Sequence, residues 1–233
     1  MTLRAATFSL LAALLIGFPA APSGAGGMQT YSNLTGRVVL DNERVLVQAF
    51  TIQPGQKTGS HRHHDAQLLV FVKGGVLKSE SGRATLWKDG RVEWLEPSDR
   101  ADEGSSNVGQ NAIELREITL KPAPTSTNSA YGYLSYPNLP SEDLLENDRV
   151  IVQHFVLNPG QWEGVHAHNA NTLYIFIKGG HWLSKATNPP SRLVGNSPDG
   201  DVGWMPAIDL SAGHQSGNTG SAPSDVVWIA LKH

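Results

Sequence analysis

Three histidines in the second half of the chain have the spacing of a metal site. His166 and His168 are separated by one residue, and His214 follows near the end of the chain. Because side chains alternate between the two faces of a β-strand, His166 and His168 are predicted to project to the same side. A third imidazole from a strand adjacent in space would complete a facial set around one divalent ion. Such a set leaves positions open for water, dioxygen or an anionic substrate.

The first half of the chain holds a similar set with different donors. His61 and His63 are again separated by one residue, and Glu103 stands at the position equivalent to His214. Two imidazoles and one carboxylate are typical of non-haem iron sites. Gln67 is predicted to be a weak fourth ligand or to form a hydrogen bond behind the ligands. The alternative is a copy that has lost its metal and only stabilises the fold.

Aromatic residues near the second set indicate a pocket for a small molecule. The predicted lining residues, partly on the strand after His168, are Thr172, Tyr174, Phe176, Trp182 and Trp204. The same tryptophans would serve equally as ordinary core residues. Asn107 and Asn218 are predicted to support turns. No catalytic residue is identified from the sequence.

An internal repeat explains why the two sets look alike. The segment LDNERVLVQAFTIQPGQ begins at Leu40, and LENDRVIVQHFVLNPGQ begins at Leu145, an offset of 105 residues. Two copies indicate a duplicated domain, because a solenoid needs at least three units. We predict an N-terminal domain over residues 28–122, a linker over 123–133 and a C-terminal domain over 134–233. Short runs rich in β-branched residues, each ending at Pro or Gly, predict an all-β fold.

Composition restricts the compartment and the partners. The chain has no cysteine and a formal net charge of −3, so thiolate chemistry is excluded and no nucleic-acid partner is indicated. Residues 1–25 combine Arg4, an apolar run and small residues, which predicts a signal peptide. We therefore expect a periplasmic or secreted protein without a membrane partner. A monomer and a homo-oligomer both remain open.

Each copy resembles a cupin domain. The first cupin motif runs Gly, five residues, His-x-His, three or four residues, Glu, six residues, Gly. The chain carries it as Gly55-His61-His63-Gln67-Gly74 and as Gly160-His166-His168-Thr172-Gly179. The second motif survives as Pro97 with Glu103 and Asn107, and as Pro206 with His214 and Asn218. The resemblance covers nearly all of the chain after the signal peptide and implies two double-stranded β-helix jelly-roll barrels, a bicupin.

The resemblance also implies a class of function. Gln67 and Thr172 replace the motif glutamate, so neither copy has the three-His-plus-Glu set of the Mn-dependent oxalate enzymes. The second copy is similar to the three-His sites of some thiol and diketone dioxygenases. We expect a dioxygenase-type oxidoreductase acting on a small, anionic or oxygen-rich metabolite. The alternatives are a non-catalytic metal- or metabolite-binding cupin and a metal-dependent decarboxylase or isomerase. The imidazole ligands do not distinguish between Fe, Mn, Ni, Cu and Zn. The expected oxygenation slightly favours Fe.

Overall fold

The two repeats fold into similar series of short strands. The computed structural model describes residues 27–122 and 134–232, so the predicted signal peptide (1–25) and linker (123–133) lie outside the described residues. The first repeat contains β1 (Arg37–Asp41), β2 (Val45–Ile52), β3 (His61–His63), β4 (Gln67–Lys73), β5 (Gly75–Ser79), β6 (Ala84–Trp87), β7 (Val92–Leu95), β8 (Ser98–Asp102), β9 (Ser105–Asn107) and β10 (Ile113–Leu120). The second contains β11 (Glu142–Glu146), β12 (Val150–Leu157), β13 (Thr172–Lys178), β14 (Gly180–Thr187), β15 (Pro190–Ser197), β16 (Val202–Met205), a short 3-10 helix (Leu210–Ala212), β17 (Gln215–Asn218) and β18 (Ser224–Leu231).

Each repeat pairs a large sheet with a small one. The large sheets have the strand orders β1-β2-β10-β4-β7 and β11-β12-β18-β13-β16, and the small sheets have the orders β6-β5-β9 and β15-β14-β17. Strands β3 and β8 form an additional pair in the first repeat. The all-β prediction is confirmed, and the sheets have the arrangement expected of jelly-roll barrels.

Apolar residues lie on both faces of each large sheet. In β13, Leu173 and Ile175 point to one face, and Tyr174 and Phe176 point to the other. The second face closes over the small sheet and forms the interior of the barrel. The first face joins an apolar cluster that contains buried residues of both repeats. The repeats therefore pack against each other through the outer faces of their large sheets.

A buried cation also connects the repeats. The Arg116 side chain lies in β10, and its Nε donates a hydrogen bond of 2.9 Å to the carbonyl oxygen of Gly200 in the second repeat. Gly200 has a φ of +75°, and a Cβ added there would lie 2.0 Å from Nη2 of Arg116. Only glycine fits this contact, because it combines the left-handed backbone with close approach of the guanidinium.

The two matched asparagines support turns, as predicted. Asn107 is fully buried, and its amide donates to the carbonyl oxygens of Ile52 and Asn111 while its side-chain oxygen accepts from the Gly109 N–H. Asn218 makes the equivalent three hydrogen bonds in the second repeat. Among the residues that the structure describes, no helix has the length and apolarity needed to cross a membrane.

Candidate metal centre

Three buried histidines converge inside the second barrel. One ring nitrogen from each of His166, His168 and His214 lies within 4.8 Å of the others. The Nε2 atoms of His166 and His168 are 2.9 Å apart. The three side chains come from two distant parts of the sequence, so the fold and not local chain geometry brings them together.

The backbone holds the histidines by hydrogen bonds between the two segments. The N–H of His166 donates to the carbonyl oxygen of His214 at 3.1 Å, and His168 exchanges two hydrogen bonds of 2.9 Å with Ile208. The segment around His166 is not a regular strand, which differs from the expected strand alternation. Gly164, with a φ of +85°, turns the chain so that its carbonyl oxygen accepts from Nδ1 of His166 at 2.9 Å.

The surroundings keep all three imidazoles neutral. Burial lowers the pKa of His166 from its usual value of 6.5. Burial, together with the neighbouring His166 and His214, lowers the pKa of His168 to about 3. Burial and His166 lower the pKa of His214 to about 4. Neutral imidazole is the form that binds metal, so no proton need be removed at neutral pH before an ion is bound.

The donor set fits a divalent ion. Because Nδ1 of His166 bonds a carbonyl oxygen, it carries the proton and Nε2 presents a lone pair towards His168. Two nitrogen ligands at right angles, each about 2.1 Å from an ion, would be about 3.0 Å apart, close to the observed 2.9 Å. Nδ1 of His168 is buried without a hydrogen-bond partner in the described residues. The carbonyl-bound Nδ1 of His166 is typical of metal ligands, whereas His168 lacks this support.

Glu163 is a functional candidate that sequence reasoning missed. It is 5% exposed, and its Oε2 accepts a hydrogen bond of 2.9 Å from the Ser216 N–H and lies 4.0 Å from Nε2 of His166. Burial raises the pKa of Glu163 to about 7. The repeat offset aligns Glu163 with Thr58, whose hydroxyl oxygen accepts from the Ser105 N–H in the same way. The available signal in the sequence was a carboxyl at a position where the other repeat has a threonine.

In the first repeat the structure places Asp102, one residue before the predicted Glu103, beside the histidine pair. Asp102, not Glu103, has its carboxylate within 4.8 Å of ring nitrogens of His61 and His63. Asp102 is the last residue of β8 and pairs directly with His61 of β3. Glu103 follows the strand and is exposed. The pairing of β8 with β3 therefore determines which carboxylate lies beside the histidines. Matching the two repeats in sequence predicted Glu103 because it takes no account of this pairing.

Gln67 lies behind His63. Its Oε1 is 2.5 Å from Nδ1 of His63, and its amide nitrogen donates to the side-chain oxygen of Gln29 at 3.0 Å. Nδ1 of His61 bonds the carbonyl oxygen of Gly59 at 3.0 Å. Both histidines thus have Nε2 free to face Asp102. Of the two roles predicted for Gln67, this geometry matches the hydrogen bond behind the ligand.

A tyrosine accompanies each histidine pair and was also missed. The ring centroid of Tyr31 lies 4.3 Å from that of His61, and the ring centroid of Tyr136 lies 4.4 Å from that of His166. Tyr31 donates a hydrogen bond of 2.5 Å to the buried Glu117, whereas the buried hydroxyl of Tyr136 has no partner in the described residues. The 105-residue offset extends back to these tyrosines and could have identified them.

The predicted pocket residues largely surround one cavity. The cavity has a volume of about 480 Å³ and is lined by Tyr174, Phe176, Trp182 and Trp204. Thr172 lies outside the lining, because its hydroxyl points back to the carbonyl oxygen of Ala170 at 3.1 Å. Glu163 and Trp228 also line the cavity, and the ring centroid of Trp228 is 5.4 Å from that of His168. The cavity therefore adjoins the histidine cluster.

Comparison with known proteins identifies the fold. A cupin 2 conserved barrel domain protein from Leptotrichia buccalis is 10% identical over 88% of this chain and 92% of that chain, with a TM-score of 0.52. AerE from Microcystis aeruginosa is 12% identical over 86% and 99%, with a TM-score of 0.58. An oxalate decarboxylase variant from Bacillus subtilis is 14% identical over 91% and 78%, with a TM-score of 0.57. No family model and no curated protein matches the chain. The chain shares the fold of cupin-domain proteins.

Proposed function

We propose that this chain is a metal-dependent cupin enzyme that acts on a small molecule in its second barrel. His166, His168 and His214 would hold one divalent ion. The observation that carries the proposal is the convergence of three buried, neutral imidazoles beside a cavity of about 480 Å³. A large cavity with convergent polar groups and residues of perturbed pKa is the usual form of an active site.

The proposed reaction is oxygenation of the dioxygenase type. A bound Fe(II) ion would supply activation of dioxygen and would polarise an oxygen of the substrate. Three protein ligands leave room for the substrate, and Thr172 supplies no carboxylate ligand at the motif position. The aromatic walls would exclude water, and Glu163 would face the polar group of the substrate. The similarity to an oxalate decarboxylase keeps metal-dependent decarboxylation as a second candidate.

Oxygen consumption tests this proposal. The full chain, loaded with Fe(II) under anaerobic conditions, is mixed with air-saturated buffer and a diketone, a catechol or a thiol. We expect oxygen uptake with at least one of these probes and its loss in His168→Ala. His181→Ala removes an exposed histidine and serves as the matched control. Turnover of oxalate to carbon dioxide without oxygen uptake would favour decarboxylation, and tight retention of a probe without product would favour a binding protein.

We further propose a second metal site in the first barrel. His61, His63 and Asp102 supply two imidazoles and one carboxylate, a set suited to non-haem iron. Elemental analysis of the loaded protein should then give two ions per chain. Asp102→Asn should reduce the number to one, whereas the neighbouring Glu103→Gln should leave it at two. One ion in the unaltered protein, or equal effects of the two substitutions, would contradict this site.

We also propose that the protein is exported to the periplasm or beyond the cell. The proposal rests on the charged, apolar and small-residue pattern of residues 1–25. Mass spectrometry of the protein expressed in a bacterial host should show a mature chain that lacks this segment in the periplasmic fraction. A cytoplasmic chain that retains Met1 would contradict it.

A further inference from the structure

The cavity of the second barrel has an apolar end and a polar end. Its apolar end is built from aromatic rings, and no lysine, arginine or histidine is among its described lining residues. The polar end contains Glu163, 4.0 Å from Nε2 of His166, and Ser184, whose hydroxyl is 3.5 Å from Nδ1 of His214. The lining therefore offers no basic side chain to an anionic ligand, and the one ionisable group at its polar end is a carboxyl.

The equivalent cavity of the first barrel is charged. It has a volume of about 340 Å³, and its lining includes Arg83 and Glu93. Strand pairing places Gly203 at the position of Glu93. Leu193 pairs with Ser184 as Arg83 hydrogen-bonds the equivalent Ser79, so Leu193 stands at the position of Arg83. The Tyr174 ring fills the space over Gly203, because a Cβ there would lie 2.0 Å from the ring. Arg83 and Glu93 of the first cavity, which also contains Asp102, are thus replaced by uncharged residues in the second.

The carboxyl of Glu163 is not required to build the fold. Thr58 makes the same hydrogen bond to a backbone N–H in the first repeat with a neutral hydroxyl. A buried carboxyl costs free energy that a threonine does not. Its presence at the polar end of an apolar cavity therefore indicates a role towards a ligand, as an acceptor for a hydrogen-bond donor.

We propose that the second cavity selects a flat, uncharged ring compound that carries a hydroxyl group, and rejects small carboxylates. The hydroxyl would lie at the polar end and donate to Glu163, and the rings would pack between the aromatic side chains. Cavities of about 300–1,000 Å³ accommodate ligands of this size, whereas a two-carbon dicarboxylate would leave most of the space unfilled. This inference rests on the proposed function for its metal and narrows the anionic or oxygen-rich metabolite expected from the sequence to an uncharged, hydroxyl-bearing one.

Calorimetric titration with three probes tests the proposal. 2-Naphthol, 2-naphthoate and oxalate are titrated separately into the full chain, both chelator-treated and zinc-loaded. In the chelator-treated protein, 2-naphthol should bind about tenfold more tightly than 2-naphthoate, because the carboxylate meets Glu163 without a compensating cation. Oxalate should not bind. Equal or tighter binding of either carboxylate, or no binding of 2-naphthol, would overturn the proposal.

Three substitutions, one of them a control, test which residues determine the selectivity. Leu193→Arg restores the charge of the first repeat and should reverse the preference, favouring 2-naphthoate by about tenfold. Val194→Arg introduces the same charge at the adjacent exposed residue, which is outside the cavity lining, and should leave the preference unchanged. Glu163→Thr reproduces the first repeat and should remove the discrimination between the two naphthyl probes. Equal effects of the two arginines would contradict this assignment.

The zinc titration separates this inference from the proposed function. If zinc fails to bind the three histidines while 2-naphthol binds, the metal-dependent function fails and the ligand selectivity stands. If zinc binds and 2-naphthol does not, the selectivity fails and the metal site stands.

Discussion

The buried carboxyl of Glu163 makes the stability of the metal-free protein depend on pH. Burial raises its pKa to about 7, whereas the ordinary value is 4.5. The folded chain therefore holds this proton more tightly than the unfolded chain between pH 4.5 and 7. The contribution of protonated Glu163 to the free energy of unfolding is therefore fully present below pH 4.5 and is lost as the pH rises through 7.

The size of the effect follows from the two pKa values. One pKa unit corresponds to about 1.4 kcal/mol, so ionised Glu163 lowers the free energy of unfolding by about 3 kcal/mol at pH 8. Glu163→Gln removes the ionisation and retains an oxygen that accepts from the Ser216 N–H. In urea unfolding of the chelator-treated protein, the variant should match the unaltered chain at pH 4.5. At pH 8 it should be more stable by about 3 kcal/mol.

A buried carboxyl in the first repeat tests the same reasoning a second time. Burial also raises the pKa of Glu117 to about 7, at a position where the second repeat has Trp228. Glu117→Gln should give a similar gain at pH 8, and the two gains should add, because the residues belong to different barrels. The reasoning is refuted if the unaltered chain and Glu163→Gln lose stability in parallel between pH 4.5 and 8.

Two sets of substitutions, each with its own control, test the fold. In urea titrations, Asn107→Ala and Asn218→Ala should each lower the free energy of unfolding by about 2–3 kcal/mol, because their buried backbone partners are left unpaired. The control Asn196→Ala, at an exposed position, should change the free energy of unfolding by less than about 0.5 kcal/mol. Gly200→Ala should lower the melting temperature more than Gly160→Ala: both glycines have positive φ, but only Gly200 has Arg116 within 4 Å. Equal losses would mean that the contact between the repeats contributes nothing.

The repeat and its strands could be predicted from the sequence because each copy repeats the same alternation of residues. The 105-residue offset matches β2 with β12 and β4 with β13, and it matches His61 with His166. Matched patterns of this kind depend on local chain geometry, which is the same in both copies. The grouping of His166, His168 and His214 could be predicted because the two motif segments that carry them lie side by side in the barrel.

The site residues that spacing did not predict are positioned by tertiary contacts. Asp102, and not Glu103, faces His61 because β8 pairs with β3 through an irregular register. Glu163 was overlooked because a carboxyl in a loop before the histidine pair is ordinarily a surface residue. Its burial arises from packing against the segment around Ser216, which is distant in sequence.

Anomalous diffraction from a crystal of the zinc-loaded protein tests the central claim most directly. We expect a peak in the second barrel at about 2.0–2.1 Å from one ring nitrogen each of His166, His168 and His214. A peak only at exposed histidines such as His181, or histidine rings turned away from a common point, would contradict the account.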